Sequence, residues 1–139
     1  MQTTTKPLDK NIQFLIDANY QRMVTFEQAA FLTNEPSFKE FYLAKAEESE
    51  INIQQLYVML HMQPVDSASS NTHSFLANLF NGKKSTIKIL ESIKTLEKTI
   101  GKWYKTTIGE IKDLPNEIKL LVEEQYKLQQ NAQLQLEHL

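Results

Sequence analysis

The sequence predicts an all-α fold, a bundle of four long helices, on three observations. Apolar residues recur at helical spacing through four stretches, the 139 residues include only three Gly and four Pro, and Leu, Ile, Lys, Glu and Gln are abundant. The length fits a single domain over residues 1–139 with one substantial core. A hydrophobic share of 41% and a charged share of 23% are those of an ordinary soluble globular protein. A net charge of −2 without a long basic run argues against a nucleic-acid partner. The absence of Cys excludes disulfides, thiolate catalysis and cysteine metal sites, and it fits a reducing compartment. No apolar run reaches membrane length, and the polar start of the chain lacks the apolar core of a signal peptide, so a cytoplasmic protein with no membrane partner is expected.

Residues 1–7 read as a polar tail. A first helix is expected over about 8–32, from the spacing of Leu8, Ile12, Leu15, Ile16, Met23, Phe26 and Ala30. Thr33-Asn34-Glu35-Pro36 stops it and starts the next, with Pro36 in the first turn of a second helix over about 37–62. So short a turn makes the two helices antiparallel neighbours. Phe38, Tyr42, Ala46, Ile53, Leu56 and Leu60 form the second seam. The connection from Gln63 to Lys84 is long, and Phe75, Leu76, Leu79 and Phe80 mark a short amphipathic helix inside it, about 72–80, expected as a strap over the core.

Ser85 is the expected cap of a third helix over about 85–112, whose apolar face carries Leu90, Ile93, Ile100, Tyr104, Ile108 and Ile111. Asp113-Leu114-Pro115 combines a capping residue with a helix-starting proline, and a fourth helix follows over about 115–136. Short first and third turns around a long second connection describe a four-helix bundle with one crossover between helices two and three.

Each helix carries polar residues at its middle, on or beside the apolar face: Asn19, Ser49 with Glu50, Glu97, and Gln125. Glu97 lies inside the third stripe, where an ionised carboxylate costs several kcal/mol unless it is hydrogen-bonded, paired or bound to a cation. Helices packed in register bring these side chains to one level, where Asn, Ser and Gln can donate to Glu97, with Tyr20, Tyr42, Tyr104 and Tyr126 as further donors. This buried polar layer is the expected arrangement. It allows Lys45 beside Glu97 as a charge partner, and it predicts that Glu97→Gln is tolerated or stabilising. The alternative is a hard or transition-metal cation, iron or another divalent ion, held by Glu97 and Glu50.

A two-metal carboxylate bundle needs a Glu-x-x-His motif on each of two helices. Here the histidines are His61, His73 and His138, away from the helix midpoints, and Glu47-x-x-Glu50 and Glu123-x-x-Tyr126 lack the His. No metal and no other cofactor is therefore expected in the main reading. The Ser, His and Asp residues form no recognised catalytic arrangement, and no Gly-rich phosphate loop is present. Trp103 and the Phe75–Phe80 cluster read as core, with any exposed remainder offering a homodimer contact.

Taken in order, Leu15-Ile16, Phe26 with Ala29-Ala30, Asn34-Glu35-Pro36, Leu43, Glu97 with Tyr104, Asp113-Leu114-Pro115 and Leu121-Val122-Glu123-Glu124-Gln125-Tyr126 resemble a bacterial family of ferritin-like four-helix proteins of unknown function. The resemblance runs from about Leu8 to Leu136. It implies a ferritin-like fold with a crossover and a structural or stress-associated role, without an established reaction. It also implies retained acids at Glu97 and Glu123, although helical periodicity turns Glu123 away from the seam. Where the family commonly has an acid on helix one, this chain has Met23, which removes a carboxylate partner for Glu97. The combined expectation is a non-catalytic bundle acting through its surface or as a dimer, its protein partner unspecified.

Overall fold

The computed structural model of the protein describes residues 7–60, 86–111 and 113–139. Four α-helices account for nearly all of them: α1 (Pro7–Leu32), α2 (Pro36–Leu60), α3 (Thr86–Glu110) and α4 (Asn116–Glu137). No strand occurs among the described residues. Pro7, expected in the tail, belongs to α1; the short helix expected over 72–80 and the Ser85 cap lie outside the described residues.

The turn between α1 and α2 follows from its residues. The Thr33 amide still donates to the Ala29 carbonyl at 3.0 Å, the Thr33 hydroxyl accepts from the Glu35 amide at 3.3 Å, and Pro36, which has no amide hydrogen to leave unsatisfied, begins α2. Between α3 and α4 the capping role expected of Asp113 is absent. Pro115 holds the cap position of α4, with φ −54° and ψ 145° and no side-chain cap bond, and its carbonyl accepts from the Ile118 and Lys119 amides.

The core has two apolar clusters. One gathers Ile12, Leu15 and Ile16 of α1, Ile53 and Leu56 of α2, Leu96, Ile100 and Tyr104 of α3, and Ile118 and Val122 of α4. The other gathers Phe26, Ala29 and Ala30 from the end of α1, Tyr42 and Ala46 from the start of α2, Ile89 and Ile93 from the start of α3, and Leu136 from the end of α4. These groupings fix the directions. Helices α1 and α4 run one way and α2 and α3 the other, so residue 60 and residue 86 lie at opposite ends of the bundle.

Helix α1 packs chiefly on α2 and then on α3, α3 packs on α4, and α2 meets α4 only slightly. Every one of these packed pairs is antiparallel. Between the two apolar clusters the seams of all four helices turn polar.

Candidate functional site

Arg22 is the centre of the polar region. The seam of α1 runs Leu15, Asn19, Arg22, Phe26 and Ala29, all buried, so helical spacing carries the guanidinium inward with its apolar neighbours. Its Nε donates to Glu97 Oε1 at 2.7 Å and its Nη2 to Glu97 Oε2 at 3.2 Å, a two-point grip on a carboxylate of zero exposure. Nη1 donates to the Ser49 hydroxyl at 2.9 Å. Nη2 also stands 2.9 Å from Glu48 Oε1, an ionic contact without hydrogen-bond alignment, since that oxygen has no hydrogen-bond partner among the described residues.

From α4, Gln129 Nε2 donates to the Glu97 carbonyl at 2.7 Å and to Glu97 Oε2 at 3.3 Å. The guanidinium carbon lies 5.3 Å from the Phe26 ring centre, a cation–π contact.

Charges alternate outward from the interior. Glu97 is followed by Arg22, then by Glu48, whose side chain is 13% exposed, then by Lys45, whose Nζ is 3.5 Å from Glu48 Oε2 and 5.5 Å from the Phe41 ring centre. The four formal charges sum to zero, which is how two ionised groups can remain fully dry. Burial by itself pulls the Arg22 pKa down; the charges of Glu97 and Glu48 and the hydrogen bonds to Glu97 together outweigh it and hold the pKa above its ordinary value. Arg22 is a permanent cation.

A second polar layer lies about one helical turn away and closes on itself. Asn52 Nδ2 donates to Asn19 Oδ1 at 3.0 Å, Asn19 Nδ2 to the Tyr104 hydroxyl at 2.8 Å, and that hydroxyl to Gln125 Oε1 at 2.6 Å. Gln125 Nε2 completes the circuit by donating to the Asn52 carbonyl at 3.3 Å, and it donates also to Gln55 Oε1 at 3.1 Å. One residue from each helix takes part. The remaining Asn19 hydrogen goes to the Leu15 carbonyl at 2.9 Å, so the Asn19 and Gln125 amides and the phenol are satisfied. Burial pushes the Tyr104 pKa upward, against a lowering from the Asn19 hydrogen bond, and the phenol stays protonated.

Asn19, Ser49, Glu97 and Gln125, expected at one level, are all buried but divide between the two layers: Ser49 and Glu97 around Arg22, Asn19 and Gln125 around Tyr104. Glu50 does not join them. It is exposed: residues 48 and 50 each lie about 100° from Ser49 around α2, and Arg22 of α1 meets the Glu48 side. Glu48, on the other side of Ser49, is the α2 acid that reaches the interior.

Lys45 pairs with Glu48 and not with Glu97. Tyr104 lies in the second layer; Tyr126 is half-buried and stacks on it, with ring centres 6.3 Å apart; Tyr20 is half-buried against the apolar core. Glu123 is exposed and Met23 packs in the core. Spacing alone missed Arg22, Asn52 and Gln129. All three sit on their helix seams, and only their polarity conceals them.

Comparison of the chain with protein-family models, with curated proteins and with solved structures finds no match. The chemistry of the site is therefore read from its own geometry. Among the described residues no group of three or more His, Cys, Asp or Glu side chains is placed to hold a metal ion. Both oxygens of Glu97 point at a guanidinium, and Glu50, the second ligand of the metal alternative, faces solvent. Trp103, half-buried, meets the Phe14 ring edge-on at 5.1 Å, and Phe14 is 43% exposed. No helix among the described residues is long and apolar enough to cross a membrane.

Proposed function

We propose that the protein is a non-catalytic bundle of ferritin-like build, a structural or stress-associated protein of the cytoplasm that works through its surface or as a dimer. The observation that carries this reading is the Arg22–Glu97 pair, in which an arginine supplies, from within the chain, the positive charge that a metal-binding carboxylate bundle takes from ions. A metal ion approaching Glu97 has to displace a bidentate guanidinium held also by Ser49 and Glu48. The shared direction of α2 and α3, with residues 60 and 86 at opposite ends, supports the ferritin-like order with a crossover.

The polar interior satisfies itself almost completely, which leaves the outer faces for recognition. Phe14 beside Trp103 is the patch offered for self-association.

The test is elemental analysis of protein produced in iron-supplemented medium and purified without chelator, beside the Glu97→Gln variant and with sedimentation to give the oligomeric state. The expected result is metal well below one equivalent in both proteins. Stoichiometric iron or another divalent metal in the parent, lost in Glu97→Gln, overturns the reading in favour of a metalloprotein.

A further inference from the structure

On the outside of the bundle a groove of about 300 Å³ runs between α3 and α4. Helix α3 lines it with Lys98, Lys102 and Lys105, α4 with Tyr126, Gln130 and Gln133, and Gly101 forms its floor. The lysines stand at i, i+4 and i+7, so they share one face of α3 and span about 10 Å along its axis. All three are exposed, and among the described residues none of them has an ion-pair partner. Among the described residues no carboxylate lines the groove. A row of unanswered ammonium groups is unfavourable to itself, and it stands out on a chain whose net charge is −2.

The opposite wall is held in place. Gln130 Nε2 donates to Gln129 Oε1 at 2.8 Å and to Gln133 Oε1 at 3.3 Å, and Gln129 is tied in turn to Glu97. Gly101 keeps the floor low: a Cβ there would come within 2.9 Å of Gln129 Oε1 and 3.1 Å of Gln130 Nε2. Tyr126, stacked on Tyr104, fixes the aromatic end.

The geometry points to a binding site for a small oligophosphate, two or three phosphate groups in a chain laid along the lysine row. A single phosphate can meet only one or two of three ammonium groups spread over about 10 Å, whereas a phosphate chain meets them all. Lysine ammonium groups suit the task as compact point charges. The volume lies at the small end of the range for small-molecule sites, which favours a short chain over a larger ligand. The phosphates can belong to a free chain or to a nucleotide whose flat base reaches Tyr126. This inference stands independently of the proposed role of the interior.

The test is a chemical-shift titration of the whole chain with sodium tripolyphosphate, inorganic phosphate and ATP at about 0.1 M salt, where surface charges farther apart than about 10 Å are largely screened. Saturable shifts centred on Lys98 to Lys105 and Tyr126 to Gln133 are expected, with inorganic phosphate the weakest of the three. The double variant K98Q/K102Q should bind tripolyphosphate about tenfold or more weakly, while K10Q/K39Q, which removes the same charge from other exposed positions, changes binding by about twofold at most. ATP binding tighter than tripolyphosphate assigns the chain to a nucleotide, and equal binding assigns it to free oligophosphate; either supports the site. Equal weakening in the two double variants, inorganic phosphate binding as tightly as the chain, or no saturable shift overturns it. Unchanged helical circular dichroism in each variant establishes that the comparison is between folded proteins.

Discussion

Arg22 and Glu97, 75 residues apart in the chain, meet inside the bundle as a two-point ion pair, Nε to Oε1 at 2.7 Å and Nη2 to Oε2 at 3.2 Å. The two ends of the pair are not equally supported. Arg22 keeps Glu48 and Ser49 if Glu97 is neutralised, whereas loss of Arg22 leaves Glu97 with only the Gln129 amide in a dry site. Arg22→Met should therefore cost about 3–5 kcal/mol, and Glu97→Gln distinctly less. This reverses the expectation of a tolerated Glu97→Gln, because the partner is a charge and not a set of amides. The double change Arg22→Met with Glu97→Leu should recover much of the loss of Arg22→Met by replacing the pair with apolar contacts. Urea denaturation of the four proteins checks the order, and a Glu97→Gln loss equal to that of Arg22→Met contradicts the asymmetry.

The closed circuit of Asn19, Asn52, Tyr104 and Gln125 predicts coupling across helices. Tyr104→Phe removes a donor and an acceptor at once, leaving Asn19 Nδ2 short of one partner and Gln125 Oε1 without its phenol, at a cost of about 1–3 kcal/mol. Gln125→Leu breaks the same hydroxyl bond from the α4 side. Because the two changes share one interaction, the double variant should lose less than the sum, with a coupling of about 0.5–3 kcal/mol in denaturant titrations. Strict additivity would mean that the circuit does not act as a unit.

How much of this was legible in the sequence depends on residue type. The four helices and the burial of Asn19, Ser49, Glu97 and Gln125 follow from periodicity, which is strong over stretches of 22 to 26 residues. Arg22 has as good a claim by position, three residues after Asn19 and four before Phe26. The general rarity of buried arginine argues against it until a partner at the same depth is found. Asn52 and Gln129 are hidden for the same reason. Glu48 and Glu50 flank Ser49 symmetrically in sequence, and only the position of Arg22 on α1 decides which one turns inward.

Tyr42 supplies a pH prediction. Its ring packs among Phe26, Phe38 and Phe41, it is buried, and among the described residues its hydroxyl has no hydrogen-bond partner; burial pushes its pKa up to about 12. The folded-state value lies above the ordinary 10.0, which means the unfolded chain releases the proton first as pH rises. Stability should be level below about pH 10 on this account and fall between about pH 10 and 12, with Tyr104, also raised, adding to the slope. Tyr42→Phe should match or exceed parent stability at pH 7, since it removes an unsatisfied hydroxyl, and should flatten the alkaline fall. Thermal melts at pH 7, 9 and 10.5 measure both effects; an alkaline slope identical in parent and variant rules Tyr42 out as a source.

The two helical glycines of α3 differ in what surrounds them, and substitution should separate them. At Gly109 a Cβ meets nothing within 4 Å, so Gly109→Ala should gain about 0.5–1 kcal/mol from helix propensity and a less disordered unfolded chain. At Gly101 the same Cβ lies 2.9 Å from Gln129 Oε1, 3.1 Å from Gln130 Nε2 and 3.3 Å from Gln133 Oε1. These are ends of flexible side chains, but Gln129 is anchored to Glu97 and holds Gln130. Making room costs hydrogen bonds of about 1 kcal/mol each, enough to cancel the propensity gain. Gly101→Ala should thus be neutral to destabilising by about 1 kcal/mol, and it should weaken the Gln129 contact that steadies the buried ion pair. If melting shows equal stabilisation by both substitutions, the glutamines yield freely, and Gly101 is no constraint on the approach of α4.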